Sequence, residues 1–202
     1  ATTLTLTDNA LTVGSDTGYG LFLTNGSALN AGGTLNLTGN VDIDGTSTLS
    51  YEQGGSIIGN VRNAGKMLWK NTTAGKVLAI TGNYDGVAGS LLAINSVLGD
   101  DSSQTDSMSV SGNTSGQSSI SVTNLGGLGA LTTSGIKVVQ VGGSSGASFS
   151  LASPVQAGAY QYALQKGDQQ GLNTNNWYLV SATTTPPVTP PVTPVDPIDP
   201  VT

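Results

Sequence analysis

The sequence predicts an all-β protein built as a parallel β-helix, and three observations predict it. Short segments alternate apolar and polar residues, so that each has one inward and one outward face. Glycine, with 29 of 202 residues, and asparagine separate these segments as turn residues do. Only 9% of the residues are charged and 5% aromatic. This composition favours stacked strands around small aliphatic side chains over a helical bundle.

Residues 2–68 contain loose repeats of strand and turn. The alternating segments are residues 4–6, 11–13, 21–23, 35–37, 41–43 and 48–50. Glycine and asparagine pairs such as Asn25-Gly26 and Gly39-Asn40 separate these segments. The spacing is irregular, at about 20 residues per coil, which is typical of a parallel β-helix. An antiparallel sandwich is the competing interpretation, which would need more two-residue hairpins and a larger aromatic core.

Residues 82–106 organise the rest of the chain. A turn is predicted over residues 82–86, where glycines supply positive φ angles, and a buried strand over 90–95. An acidic loop with Asp100, Asp101 and Asp106 follows, and then a strand over 107–111. We expect a solvated loop, in which Asp101→Asn changes stability by less than about 0.5 kcal/mol. Calcium binding is the alternative, although no EF-hand or glycine-aspartate repeat is present.

A cap is predicted from about residue 82, because the last rung of a β-helix would otherwise expose unpaired N–H and C=O groups. Residues 159–164 and 177–180 alternate in period 2 and could form a hairpin joined by the polar loop 165–176. Large aromatic side chains at the junction of rungs and cap would bury much area per residue. The candidate folding residues are Trp69, Tyr84, Tyr160, Tyr162, Trp177 and Tyr178.

Composition changes abruptly near the C-terminus. Residues 183–202 hold seven of the eight prolines, which predicts an extended linker without a core. An SH3 or WW ligand is the alternative, but no arginine flanks the prolines. The predicted domains are therefore rungs over 1–81, a cap over 82–182 and a linker over 183–202. Because the chain does not begin with Met, we expect a fragment of a longer protein.

The residue inventory restricts the chemistry. Without histidine or cysteine, the chain lacks Ser-His-Asp and Cys-His constellations and the usual metal ligands, so we expect no catalytic, cofactor or metal site. Asp42 and Asp44, about 7 Å apart on one strand face, are compatible with glycoside hydrolysis. No second acidic rung or basic substrate clamp accompanies them. A net charge of −6 argues against a nucleic-acid partner, and no apolar run is long enough for a membrane helix.

Several stretches in order carry a family resemblance. They are Gly82-Asn83-Tyr84, the run LLAINSVLGDDSSQTDSMSVSG from residue 91, Gly158-Ala159-Tyr160-Gln161-Tyr162, and Asn176-Trp177-Tyr178-Leu179. Over about residues 60–181 the chain resembles the C-terminal passenger region of pertactin/AIDA-type bacterial autotransporters. One position departs from the pattern. A basic residue is expected after Asp106, where it would form an ion pair, and Ser107 stands there instead.

The resemblance implies a right-handed parallel β-helix with a C-terminal, β-hairpin-rich autochaperone cap. It implies a non-enzymatic fragment that nucleates folding and drives export of the upstream β-helix. The expected partners are its own translocator β-barrel, which would follow residue 202, the upstream passenger rungs, and a host or sister-cell surface. The expected location is the bacterial cell surface or outer membrane, reached through the periplasm, with extracellular release as an option. A surface adhesin or aggregation module is a compatible alternative, and a β-helix polysaccharide enzyme is another.

Overall fold

The structure, a computed structural model, describes residues 2–6, 11–13 and 18–184. Within these residues it has twenty β-strands and no helix, which confirms the predicted all-β class. The strands are β1 (Thr3–Leu6), β2 (Leu11–Val13), β3 (Tyr19–Leu23), β4 (Ala28–Ala31), β5 (Leu35–Thr38), β6 (Asn40–Ile43), β7 (Thr48–Tyr51), β8 (Gly55–Ile58), β9 (Val61–Asn63), β10 (Lys66–Trp69), β11 (Val77–Ile80), β12 (Tyr84–Gly86), β13 (Leu91–Ser96), β14 (Ser107–Val110), β15 (Thr114–Asn124), β16 (Ile136–Val141), β17 (Ser148–Leu151), β18 (Val155–Ala157), β19 (Tyr160–Lys166) and β20 (Trp177–Thr183).

Strands of successive coils pair in parallel and form three faces of a stack. The first face is β1-β4-β7-β10-β13-β15-β17, the second contains β2-β5-β8-β11-β14-β16, and the third is β3-β6-β9-β12-β15. Strand β15 bends from the third face to the first, because residues 114–116 pair with β12 and residues 119–124 with β13. Each complete coil adds a strand to every face, so the predicted parallel β-helix is confirmed.

Inward-facing aliphatic side chains form a continuous column on the first face. Leu29, Leu49, Met67, Leu92 and Ile120 occupy matching positions on successive strands, and none is more than 3% exposed. Burying a side chain of this kind contributes about 1.5–3 kcal/mol. A slip of one residue would turn every such side chain to the solvent, so the column opposes odd-numbered register errors.

Coil length grows along the chain. Asn40 and Asn60, at one corner of successive coils, are 20 residues apart, whereas Asn83 and Asn113, at the same corner, are 30 apart. The predicted spacing near 20 residues therefore describes only the early coils. The later coils carry longer loops between strands, such as residues 97–106 between β13 and β14.

The turn predicted over residues 82–86 is wrong in its second half. Residues Tyr84–Gly86 form β12, which pairs in parallel with β9 on one side and β15 on the other. A Cβ at Gly86 would lie 2.2 Å from the Ser118 hydroxyl oxygen and 2.8 Å from the Gln117 carbonyl oxygen. Close approach of the next coil, rather than turn geometry, therefore requires this glycine.

The stack ends in antiparallel strands that continue the second face. Strand β20 pairs with β16, β19 with β20, and β18 with β19. The predicted hairpin between residues 159–164 and 177–180 is confirmed as β19 and β20. Parallel pairing itself continues across residue 82, the predicted start of the cap. Residues 185–202, which hold nearly all of the predicted linker, lie outside the described residues, and the domain boundaries stay predictions.

Candidate functional site at the capped end

The last parallel strand of the second face has its outer edge covered. Residues Trp177 to Leu179 of β20 lie opposite Val139 to Ile136 of β16, with one register shift between Lys137 and Val139. The hairpin therefore pairs the edge groups of β16 that would otherwise be offered to a further coil. An edge covered in this way cannot recruit another strand.

An aromatic column connects the interior of the stack to the hairpin. The rings of Tyr84 and Phe149 are stacked with centroids 6.1 Å apart, and Phe149 meets Trp177 edge-on at 5.3 Å. The Trp177 indole N–H donates to the Ser145 hydroxyl at 3.3 Å. Aromatic pairs of this geometry add about 0.5–1.5 kcal/mol each beyond their burial. Two predicted cap residues, Tyr84 and Trp177, are thus linked by Phe149, which is not among the residues predicted from the sequence.

The Tyr84 hydroxyl is buried and hydrogen-bonded on two sides. Asn63 Nδ2 donates to it at 3.2 Å, and it shares a hydrogen bond of 2.8 Å with Ser118 Oγ, which lies 2.7 Å from Ser90 Oγ. Burial raises the pKa of Tyr84, although hydrogen bonds with Ser118, Asn63 and Ser90 act in the opposite direction. The neutral phenol ties the successive strands β9, β12 and β15 together through this cluster.

Trp69 belongs to a second aromatic cluster. Its ring packs edge-on against Tyr51 with centroids 4.9 Å apart, and both side chains are buried. Neither Trp69 Nε1 nor the Tyr51 hydroxyl has a hydrogen-bond partner within the described chain. Trp69 therefore packs on the first face, on strand β10, and its aromatic partner is not a member of the column that contains Tyr84 and Trp177.

The hairpin also binds two loops of the underlying coils. The Tyr162 hydroxyl donates to the Gly99 carbonyl at 2.8 Å and accepts the Ala130 N–H at 3.1 Å. Ser181 and Thr132 bond reciprocally: the Ser181 N–H donates to Thr132 Oγ1 at 2.9 Å, and the Thr132 N–H donates to Ser181 Oγ at 2.7 Å. Side chains of the hairpin thus satisfy loop backbone groups that have no strand partner.

The remaining predicted aromatics also lie on the hairpin. Tyr178 is buried, and its hydroxyl accepts a hydrogen bond from Asn176 Nδ2 at 3.3 Å. Tyr160 is half-buried against the core. Phe149 could have been found from the period-2 pattern of Ser148-Phe149-Ser150-Leu151, in which both apolar residues face inward.

Asp101 is exposed, as the prediction of a solvated loop requires, but its carboxylate has three specific backbone partners. Its Oδ1 accepts the N–H groups of Thr133 at 2.9 Å and Gly135 at 2.8 Å, and its Oδ2 accepts that of Ser134 at 2.9 Å. Burial raises the pKa of Asp101, but the three backbone N–H groups together bring it below its ordinary value of 3.8. The carboxylate therefore fixes the segment that leads into β16, and these contacts lead us to expect a larger effect of Asp101→Asn than the sequence alone predicts.

This geometry predicts a pH-dependent effect of Asp101→Asn. The pKa of Asp101 is lower in the folded state, so the ionised group stabilises the fold above about pH 3.8 and loses this effect as the pH falls through the folded-state pKa. We expect the variant to be less stable than the parent at pH 7, with a difference that shrinks below pH 4. Urea denaturation at pH 7 and pH 3 measures both values, with exposed Glu52→Gln as the control. A pH-independent difference would contradict the assignment.

Asp106 is a fully buried carboxylate. Its Oδ1 accepts the Lys76 N–H at 2.9 Å and Asn71 Nδ2 at 2.8 Å, and its Oδ2 accepts the Asn95 N–H at 2.9 Å. No salt bridge to Asp106 occurs among the described residues, where the one ion pair joins Arg62 and Asp42. The family resemblance predicts an ion pair between Asp106 and a basic residue at position 107. In this chain three neutral N–H donors satisfy the Asp106 carboxylate instead.

The two carboxylates considered for glycoside hydrolysis are engaged elsewhere. Asp42 Oδ1 lies 3.1 Å from Nη1 of Arg62 on the next coil. Asp44 follows the end of β6 rather than lying on the strand as predicted, and its Oδ1 accepts the Thr46 N–H at 2.9 Å while its Oδ2 accepts the Asn25 N–H at 2.6 Å. Asp42 is part of a surface ion pair, and Asp44 accepts backbone N–H groups at a corner. The two carboxylates are therefore not placed as an acid and a base on either side of one substrate.

Two further features concern residues 2–6, 11–13 and 18–184. Nowhere in these ranges do three or more histidine, cysteine, aspartate or glutamate side chains gather closely enough to hold a metal ion. The same ranges contain no helix with the length and apolar character needed to cross a membrane.

Comparison with known proteins gives consistent matches. Residues 56–164 match the family model described as Autochaperone Domain Type 1. The chain is 47% identical over 109 residues to the autotransporter adhesin AIDA-I of Escherichia coli and 42% identical over 191 residues to the adhesin BmaC autotransporter of Brucella suis. It is 35% identical over 193 residues to the probable autotransporter YfaL of E. coli K12. These matches cover 54%, 88% and 88% of this chain, but only 8%, 5% and 15% of the relatives.

Proposed function

Because the chain belongs to the type 1 autochaperone domains of bacterial autotransporter passengers, we propose that it nucleates the folding of the passenger β-helix and thereby drives export. The observation that carries the proposal is the covered edge at the C-terminal end of the stack. There β20 pairs with β16, so the last parallel strand of the second face has a partner from a local hairpin and not from a further coil.

The physics of stacked repeats supports such a role. A single coil cannot bury its apolar side alone, so folding needs a first unit that is stable without a neighbour. The β19–β20 hairpin supplies local pairing whose loop closes at small entropic cost. Once the last coil has docked on the hairpin, each preceding coil finds a preformed row of N–H and C=O groups and a preformed apolar column.

The proposal places the chain at the cell surface, reached through the periplasm. Its partners are the translocator barrel and the passenger rungs that precede it. In this model the C-terminal end of the passenger emerges first, folds, and cannot slide back, so that each further coil pulls more chain outward. Residues 82–182 act as the capping unit and residues 183–202 as the spacer toward the translocator.

The order of folding tests the proposal. We expect pulse-labelled hydrogen exchange during refolding of this chain to protect β16, β19 and β20 before β4, β5 and β6, because the hairpin pairs locally and the coils need a template. Quenched-flow labelling followed by mass spectrometry of peptic fragments measures the order. Early protection of the N-terminal coils, or simultaneous protection of all strands, would refute nucleation at the capped end.

Adhesion is a second candidate function, which two relatives named as adhesins favour. This chain corresponds to a small part of each, and its own contribution to adhesion is tested by clumping of cells that display the passenger with and without it. Family membership and the engaged state of Asp42 both favour a non-enzymatic role over polysaccharide hydrolysis.

A further inference from the structure

An asparagine ladder follows the corner between the second and third faces. Asn40 Oδ1 accepts the N–H of Asn60 at 2.9 Å, Asn60 Oδ1 accepts that of Asn83 at 2.8 Å, and Asn83 Oδ1 accepts that of Asn113 at 2.8 Å. The ladder ends where Asn113 Oδ1 accepts the N–H of Ser144 at 2.8 Å. In every step the upstream coil supplies the side-chain acceptor and the downstream coil supplies the backbone donor.

A glycine precedes each member of the ladder and brings the coils close enough for it. A Cβ at Gly82 would lie 2.4 Å from the carbonyl oxygen of Gly59, and one at Gly112 would lie 2.6 Å from that of Gly82. The Gly82 N–H donates to Gly59 at 3.0 Å, and the Gly112 N–H donates to Gly82 at 3.1 Å. A side chain at these positions would therefore separate the coils, and the Gly-Asn dipeptide acts as one corner unit.

The ladder holds its position although the coils differ in length. Its steps span 20, 23, 30 and 31 residues in chain order. A fixed repeat length therefore cannot align the coils. The aliphatic columns cannot align them alone either, because a slip of two residues returns the same alternating side chains to the interior. The corner hydrogen bond distinguishes the correct register from such a slip.

The ladder has a definite upstream end. Tyr19 occupies the position that pairs with Asn40 in the preceding coil. The Asn40 N–H is accepted by the Gly18 carbonyl oxygen at 2.9 Å instead of by a side chain. The four asparagines thus lie in the coils between Tyr19 and the capped end.

We propose that the asparagine ladder sets the register of each incoming coil against the coil already folded, in the C-to-N direction. This inference rests on the proposed function, because it requires folding to begin at the capped end. Along the ladder, a folded coil leaves its corner N–H without a protein acceptor, and the asparagine Oδ1 of the next coil satisfies this N–H when that coil docks in the correct register. A slipped coil would cover that N–H without pairing it, which is unfavourable.

The test compares two ladder positions in the refolding of this chain. Asn113→Ala removes the acceptor nearest the cap and is expected to slow protection of β6, β9 and β12 about 3- to 10-fold, the equivalent of one backbone hydrogen bond lost in the rate-limiting step. Asn40→Ala removes the most distant acceptor, so it is expected to slow protection of β6 only and to leave the rates of β9 and β12 unchanged. Asn113→Asp keeps an acceptor and is expected to restore the parent rate. Asn36→Ala, which removes an acceptor for Ser56 Oγ on the second face, is the matched control.

The outcomes separate the ladder from the proposed function. If Asn113→Ala and Asn40→Ala lower equilibrium stability alike and change no rate selectively, the ladder only stabilises the fold and the register proposal is overturned. If Asn113→Ala does not refold and Asn113→Asp does not refold at the parent rate either, acceptor capacity is not what matters, and the proposal is again overturned. If the parent hairpin is not protected first, the proposed function fails whatever the ladder variants do.

Discussion

Replacing Trp177 by alanine is expected to cost about 3–5 kcal/mol of folding free energy, as large-to-small changes of buried aromatics do. Trp177 is 9% exposed, meets Phe149 edge-on and donates to Ser145. It also begins β20, the strand that covers β16. Domain stabilities are typically only about 5–15 kcal/mol, so this one change would remove a large share of the total. Denaturant titration of the isolated chain measures the loss.

The same substitution in a full-length passenger is expected to impair its appearance at the cell surface in a folded form. Surface protease resistance of the displayed passenger is the measurement, and Phe22→Ala is the matched control. Phe22 is 59% exposed, so its truncation is expected to change stability by no more than about 0.5 kcal/mol. A Trp177→Ala passenger that refolds and resists protease like the parent would remove the basis for nucleation at the capped end.

Replacing Asp106 by asparagine is expected to be the second most damaging change, with a loss of about 3 kcal/mol. The Oδ1 of asparagine could still accept from Lys76 and Asn71, but its Nδ2 would face the N–H of Asn95, donor against donor. Bulk water cannot reach the site to relieve this conflict, since Asp106 is 0% exposed. Denaturant titration at pH 7 measures the effect.

Asp100→Asn is the control for the Asp106→Asn substitution. Asp100 lies in the same loop, is exposed, and its Oδ1 accepts only from the nearby Ser102. Its replacement is expected to change stability by no more than about 1 kcal/mol. Equal effects of the two substitutions would mean that the loop as a whole, rather than the buried carboxylate, carries the stabilisation.

Strands and hairpin could be predicted because their signals are local. In residues 35–37 and 41–43, apolar and polar residues alternate, and neighbouring residues are enough to predict which side chains face inward. The two segments lie in strands β5 and β6, respectively. The β19–β20 hairpin follows from two alternating segments joined by a polar loop. Strand β4 was not predicted, because its sequence, Ala-Leu-Asn-Ala, shows little alternation between apolar and polar residues.

Roles that depend on distant partners were decided only by the tertiary structure. Asp101 and Gly135 are 34 residues apart, and Tyr84 and Ser118 are also 34 apart. No local pattern specifies such pairs, so Asp101 and Asp106 were expected to be solvated and Tyr84 was placed in a turn. In the segments with clear alternation, the amino-acid sequence by itself determined which residues form strands and which of their side chains face inward. The stacking of coils of unequal length determined which residues meet, because it brings segments 20 to 31 residues apart into hydrogen-bond contact, as between Asn40 and Asn60 and between Asn113 and Ser144.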